Sequence, residues 1–205
     1  MKNSILIATV IAVVSGLAIA QDISNIKPLQ PQPSVEFYQE EITFIVNDSI
    51  ARVEGVYHFR NNTGKAFTMP VMFPFYVDSV TSYPDYIEAF MADSAGNITP
   101  LDFVDMPERG SIRMRIPLTN APETVWYLNY EQSISAKRAV YIITSTAAWQ
   151  KPLEQATYTF VVPDSFKDVE VWPEPDTTFA GDSQIYKQCI KYQFMPAREM
   201  EISWR

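Results

Sequence analysis

A chain of 205 residues with one histidine and one cysteine cannot assemble a Cys/His zinc cluster or an intramolecular disulfide. Its 24 acidic and 16 basic side chains give a net charge of −8, which disfavours nucleic acid and anionic membrane surfaces as partners. Hydrophobic residues make up 47% of the chain, enough for one sizeable core or two small ones.

The chain begins with a basic Lys2, an apolar run from Ile5 to Val14 broken by Thr9, and the small-residue ending Ala18-Ile19-Ala20. This is the order of a secretory signal peptide, residues 1–20, with cleavage expected before Gln21. The run from Ile5 to Ala20 is also shorter than the roughly 20 residues of a membrane span, so no stable span is expected after cleavage. Removing residues 1–20 takes away Lys2 and no acid, which leaves 185 residues and a net charge of −9. No cysteine follows the signal to carry a lipid, so the expected product is exported: periplasmic, cell-surface or secreted. Residues 21–34, with Pro28, Pro31 and Pro33, read as an extended lead-in to a domain over residues 35–205.

From Glu41 onward, short alternating segments follow one another. Ile42, Phe44 and Val46 share one face, and Asn47-Asp48-Ser49 turns the chain. Ala51, Val53, Tyr57 and Phe59 then face one way, and Arg52, Glu54, His58 and Arg60 the other. This period of two is that of a half-buried antiparallel strand. Asn61-Asn62-Thr63-Gly64 reads as a hairpin turn that returns the chain along Phe67 to Phe73. A second hairpin is expected from Tyr86 to Ala92 and from Ile98 to Val104, about the turn Asp93 to Asn97. Ile112, Met114 and Ile116 oppose Arg113 and Arg115, and Trp126, Leu128 and Tyr130 alternate with their neighbours. Ala139 to Thr144 is dense enough for a central strand. Ala156, Tyr158, Phe160 and Val162 share a face, and two last strands fall near Ser183 to Phe194 and Glu199 to Trp204. No long segment carries a helical stripe, and 15 prolines interrupt the windows a long helix would need. The expectation is an all-β, antiparallel β-sandwich of about eleven strands, with a subdivision near residues 117–122 giving two small sandwiches as the alternative. Its core should hold Val53, Tyr57, Phe59, Ile112, Met114, Tyr158 and Phe160.

Ala51 to Asn61, a strand with Gly and Tyr-x-Phe running into an Asn-rich turn, resembles a poorly characterised family of exported bacterial β-sandwich proteins. The Pro-containing strand Met69 to Pro74, and Tyr141 to Trp149 followed by Pro152, resemble the same family. The first segment is more loosely similar to inter-alpha-trypsin-inhibitor N-terminal-type sandwiches and to the sheet-rich first domain of zinc aminopeptidases. The latter resemblance implies no activity, because the chain has no His-Glu-x-x-His motif.

Few side chains invite chemistry. His58 lies on the charged face of its strand without a serine or carboxylate set beside it as a nucleophilic triad requires, and is expected to face solvent. Asp78, Asp85, Glu88, Asp102, Asp105 and Glu108 fall in one aromatic-rich stretch, but nothing selects the close pair that glycoside hydrolysis needs. Asp93 to Asn97 offers oxygens and a glycine without the loop length or terminal glutamate of a calcium hand, so a plain turn is expected and no metal or other cofactor. Cys189, flanked by lysines, is expected to be an inert, half-buried thiol. The marked excess is aromatic: 12 Phe, 11 Tyr and 4 Trp. Tyr83 and Tyr86 around Pro84, Trp149 before Pro152, and Trp172 before Pro173 are the candidate ligand-binding rings, as loop aromatics stack on sugars or anchor proteins.

The expected function is a non-enzymatic exported sandwich that binds or organises another envelope or extracellular component, a protein or a neutral glycan. A carbohydrate-binding module, a structural or assembly subunit, and a carboxylate-dependent hydrolase are the alternatives. Fold alone does not choose among them.

Overall fold

Burial alternates through Ile50–Asn61: Ala51, Val53, Gly55, Tyr57 and Phe59 are all buried, and the residues between them are less so. That alternation recurs in Ser111–Leu118 and Glu123–Ser133 and sets the architecture. The computed structural model describes residues 34–205 except Ser94 and Pro122, so the expected signal peptide and residues 21–33 of the lead-in lie outside the described residues.

Fourteen strands are present among the described residues. They are β1 (Val35–Val46), β2 (Ile50–Asn61), β3 (Phe67–Pro74), β4 (Tyr86–Ala92), β5 (Ile98–Pro100), β6 (Phe103–Met106) and β7 (Ser111–Leu118). The remainder are β8 (Glu123–Ser133), β9 (Arg138–Tyr141), β10 (Leu153–Pro163), β11 (Glu170–Trp172), β12 (Thr177–Gly181), β13 (Gln184–Phe194) and β14 (Met200–Ser203). Eight of them form one sheet in the order β12-β13-β10-β1-β2-β8-β4-β5. Two three-stranded sheets, β3-β7-β6 and β11-β14-β9, complete the fold.

Both small sheets cover the same face of the large one. Tyr57 of β2 meets Phe73 of β3 with ring centroids 5.8 Å apart, and its hydroxyl lies 2.8 Å from that of Tyr141 on β9. Tyr130 of β8 likewise contacts Phe73 and Tyr141. The core between the layers holds all seven residues expected there, each buried. The all-β expectation is therefore met, as two layers of sheet.

Several local expectations are corrected. Strands β1 and β10 run parallel, because alternation records which face a residue takes and not the direction of its strand. Asn61 to Gly64 does not close a hairpin: β2 pairs with β1 and β8, whereas β3 pairs with β7 in another sheet. Asn61 is buried, and its Nδ2 donates to the carbonyls of Lys65 and Thr119, which holds the chain as it crosses between layers. The second expected hairpin is split, with β5 on β4 and β6 on β7. Ala139 to Thr144 is not a central strand. Its first part is the short edge strand β9, buried by the sheet facing it, and Thr144–Trp149 is a 3-10 helix. The short strands β11 and β12, set among prolines, raise the count above eleven.

Strand β1 begins at Val35 and carries a bulge at Tyr38, between the pairs Phe37↔Phe59 and Gln39↔His58. The extra residue lets Phe37 and Glu40 face the core together, although three positions separate them. Tyr38 turns to the outer face, where the Arg60 guanidinium lies 3.7 Å from its ring centroid. His58 does lie on that face but is not open to solvent. Its side chain is 15% exposed, with Nδ1 3.0 Å from Glu123 and Nε2 3.5 Å from Glu41.

Candidate functional site

The two small sheets do not join, and the sequence of β3 explains why. It is the outer strand of its sheet, and Pro70 and Pro74 remove two of the N–H donors that pairing on the free edge would use. The opposing strand β9 has only four residues. Between them lies a pocket of about 410 Å³, within the usual range for small-molecule sites. Its floor is Phe37 and Glu40 of β1, Tyr57 and Phe59 of β2, and Trp126 of β8. One wall is Pro70 to Pro74, and the other runs from Tyr141 to Trp149. Pro70, Met72, Ser145 and Ala148 are exposed at the rim, so the pocket opens to solvent.

Each wall is fixed from behind. Glu199 binds the start of the 3-10 helix: its Oε2 accepts from the N–H of Ile143 at 2.8 Å and of Thr144 at 3.1 Å, and its Oε1 accepts from the Thr144 hydroxyl. At the other end, Trp149 packs edge-on against Phe59, with centroids 5.2 Å apart. On the floor, Tyr57 stacks on Trp126 at 4.3 Å and its ring lies across Gly55, where an added Cβ would be 2.3 Å from the phenol oxygen. Glycine is required at residue 55 by this close approach.

Seven aromatic rings line the pocket, and Glu40 is the one carboxyl among the lining residues. Glu40 is 3% exposed, and among the described residues its side chain has one hydrogen bond, from the Tyr158 hydroxyl. Burial pushes its carboxyl up to about 7, against the opposing pull of that bond. Burial also holds the Tyr57 and Tyr141 phenols well above their ordinary range. Trp126 is 2% exposed, and its Nε1 has no hydrogen-bond partner among the described residues. A desolvated acid and an unpaired indole N–H are costly in a folded chain, and both belong to this pocket.

Of the four rings expected to bind ligand, only Trp149 is here. Tyr83 packs edge-on against Phe75 and donates to Asp105 at 2.9 Å. Tyr86 is half exposed, on β4 opposite Glu131. Trp172 packs near Phe194 beneath the Arg198 guanidinium, 4.5 Å from its centroid. The structure thus does not gather the four into one surface. Among the acids, Asp78 accepts from the N–H groups of Val80 and Thr81, Asp85 from Ser133, and Glu88 from Asn129. Asp93 accepts from the N–H groups of Ala95 and Asn97, which accounts for its oxygens as turn acceptors. Cys189 is fully buried rather than half-buried, because it faces inward beside Tyr158, and burial pushes its thiol up to about 11. Sequence reasoning passed over Glu40, Trp126 and Tyr141. The first could have been found as an acid continuing the inward parity of Ile42, Phe44 and Val46.

No family model matches the chain, and no curated protein matches it in sequence. Among solved structures it is similar to a "putative nutrient binding protein" from Legionella pneumophila, with a TM-score of 0.61 and 11% identity over 84% of this chain and 67% of that one. At that identity the likeness shows the fold alone. A "putative protease" from Parabacteroides distasonis and an M1 zinc metallopeptidase from Deinococcus radiodurans give TM-scores of 0.45 and 0.48 at 10% and 9% identity. This chain spans 40% and 43% of their lengths, and neither carries weight for its function.

Proposed function

We propose that the chain is an exported, non-enzymatic β-sandwich protein that binds another envelope or extracellular component by taking an apolar group of that component into the pocket between the small sheets. The observation that carries this reading is an open, ring-lined cavity whose lining residues include Glu40, with one donor to its carboxyl, and Trp126, whose N–H has no partner among the described residues. The signal-like order of residues 1–20 supports export. The resemblance to the exported bacterial family supports the same site, since its three stretches supply every lining residue except Phe37, Glu40 and Trp126. The name of the Legionella protein is in keeping with a binding role. The site's chemistry supports a non-enzymatic reading: its lining holds one carboxyl with no second carboxyl, histidine, lysine or cysteine, and burial keeps the Tyr57 and Tyr141 phenols from giving up a proton.

Plugging the mouth tests the proposal. Ala148 is exposed at the rim, so Ala148→Trp adds bulk there without entering the core. A panel of small apolar and amphipathic compounds should perturb the fluorescence of Trp126 and Trp149 in the wild type, and Ala148→Trp should lower the affinity by about tenfold or more. Equal binding by both proteins would place the ligand elsewhere, and silence of the wild type across the panel would reject a small-molecule pocket.

A further inference from the structure

We infer that the pocket selects an organic ammonium, a cation with a compact apolar body, which it holds in its ring cage against the Glu40 carboxylate. The inference rests on the proposed pocket and adds the charge and class of its ligand.

Three features favour a cation over a neutral or anionic group. Phe37, Tyr57, Phe59, Phe73, Trp126, Tyr141 and Trp149 bring seven π-systems to one cavity, and electron-rich ring faces attract ammonium groups, most strongly where water is excluded. The only formal charge the lining can carry is negative, because Glu40 is present and no Lys, Arg or His joins it. The carboxyl has one donor, Tyr158, and a bound ammonium would supply the missing counter-charge. An anionic ligand would meet the opposite: a carboxylate on the floor and no basic side chain in either wall. The Trp126 N–H remains as a donor for an oxygen atom carried by the same ligand.

The cation must therefore bind the ionised form of Glu40, and its affinity should rise with pH. The titratable groups that face Glu40 are Tyr158 from β10, Tyr57 from β2 and Tyr141 from β9. All three phenols are held above their ordinary range and stay neutral through the pH interval that matters. Neither β3 nor the 3-10 helix Thr144–Trp149 contains a titratable residue. The pH dependence belongs to Glu40.

Three probes of nearly equal size separate charge from shape: choline, its neutral carbon isostere 3,3-dimethylbutan-1-ol, and the anion 3,3-dimethylbutanoate. Choline is permanently charged, so any pH dependence of its binding comes from the protein. Calorimetric titration of the full chain at about pH 8 should show choline binding about tenfold or more tighter than the alcohol, with the anion weakest. Lowering the pH to about 5.5 should weaken choline by roughly tenfold and leave the alcohol unchanged. In Glu40→Gln the preference for choline should collapse to about threefold or less while the alcohol still binds, since the rings alone retain the weaker part of the attraction. Equal wild-type affinity for choline and the alcohol, or tighter binding of the anion, would overturn the cation assignment and leave the pocket standing. Failure of all three probes, together with silence across the apolar panel, would reject the pocket itself. The wild-type pH series decides the matter even if the Glu40→Gln variant cannot be purified: choline affinity that does not change with pH overturns the role of Glu40.

Discussion

Glu40 bears the largest conflict between position and chemistry in the core. Its place on β1 is fixed by the bulge at Tyr38, and its neighbours are rings. The folded chain holds its carboxyl at about 7, whereas the unfolded chain returns it to its ordinary value of 4.5. For an acid raised in this way the folded state favours the proton. The acid therefore costs nothing below the unfolded value, and its penalty grows as the pH rises from 4.5 to 7 and is then constant. A shift of this size corresponds to about 3 kcal/mol at full ionisation. Glu40→Gln keeps the shape and removes the titration. In urea denaturation the variant should match the wild type at about pH 4.5 and exceed it by up to about 3 kcal/mol at about pH 8. A stability difference that is the same at both pH values would show that Glu40 is not desolvated. The same substitution that weakens cation selectivity should thus make the protein more stable, as expected of a residue kept for binding.

At the scale of elements, the pocket depends on a six-residue 3-10 helix that has little stability of its own. Glu199 supplies acceptors to two backbone N–H groups and one hydroxyl at the start of Thr144–Trp149. Losing acceptors for half-buried donors costs about 1–3 kcal/mol. Glu199→Ala should lower thermal stability by that order and release Trp149 from Phe59, seen as a red-shifted, more quenchable tryptophan emission. Glu199→Gln, whose amide oxygen still accepts, should recover part of both. An unchanged melting curve in Glu199→Ala would show that the helix is held by packing alone. Strands β2 and β7 were largely legible in the sequence, because Val53, Tyr57 and Phe59, or Ile112 and Met114, lie at alternating positions among mostly charged or polar residues and so declare which face is buried. The helix was not, since the β-branched Ile142 and Ile143 read as a continuation of β9 and local sequence cannot report that the chain leaves the sheet after Tyr141. Pairing was also hidden. Asn61 to Gly64 has hairpin residues, yet the local bond from Asn61 to Lys65 and the long-range one to Thr119 hold the chain as it passes to another layer. Of the site, Trp149 could be read from its setting, after a stretch of small residues and shortly before Pro152. Trp126 and Tyr141 could not, because a core ring and a pocket ring have the same sequence pattern.

For the whole molecule, the pocket exists because two small sheets share one large partner without joining each other. That arrangement makes a specific claim about cooperativity. Tyr130 touches Phe73 of one small sheet and Tyr141 of the other, and Tyr57 does the same through its ring and its hydroxyl. With such bridges, neither small sheet can detach without exposing the rings that hold its neighbour, and residues 35–205 are expected to unfold as one unit. The alternative, two small sandwiches divided near residues 117–122, would let one half open alone. Ile116 on β7 and Ile202 on β14 are both fully buried and lie in different small sheets. Each replacement by Ala should cost about 2–5 kcal/mol. In Ile116→Ala, native-state hydrogen exchange of the most protected amides in β14 should accelerate as much as in β7, and Ile202→Ala should give the converse. Circular dichroism and tryptophan fluorescence should trace a single transition in both variants. Loss of protection confined to the mutated sheet would divide the molecule in two. The pocket would then lie on a boundary that opens independently of global unfolding, and ligand would raise the stability of that boundary alone.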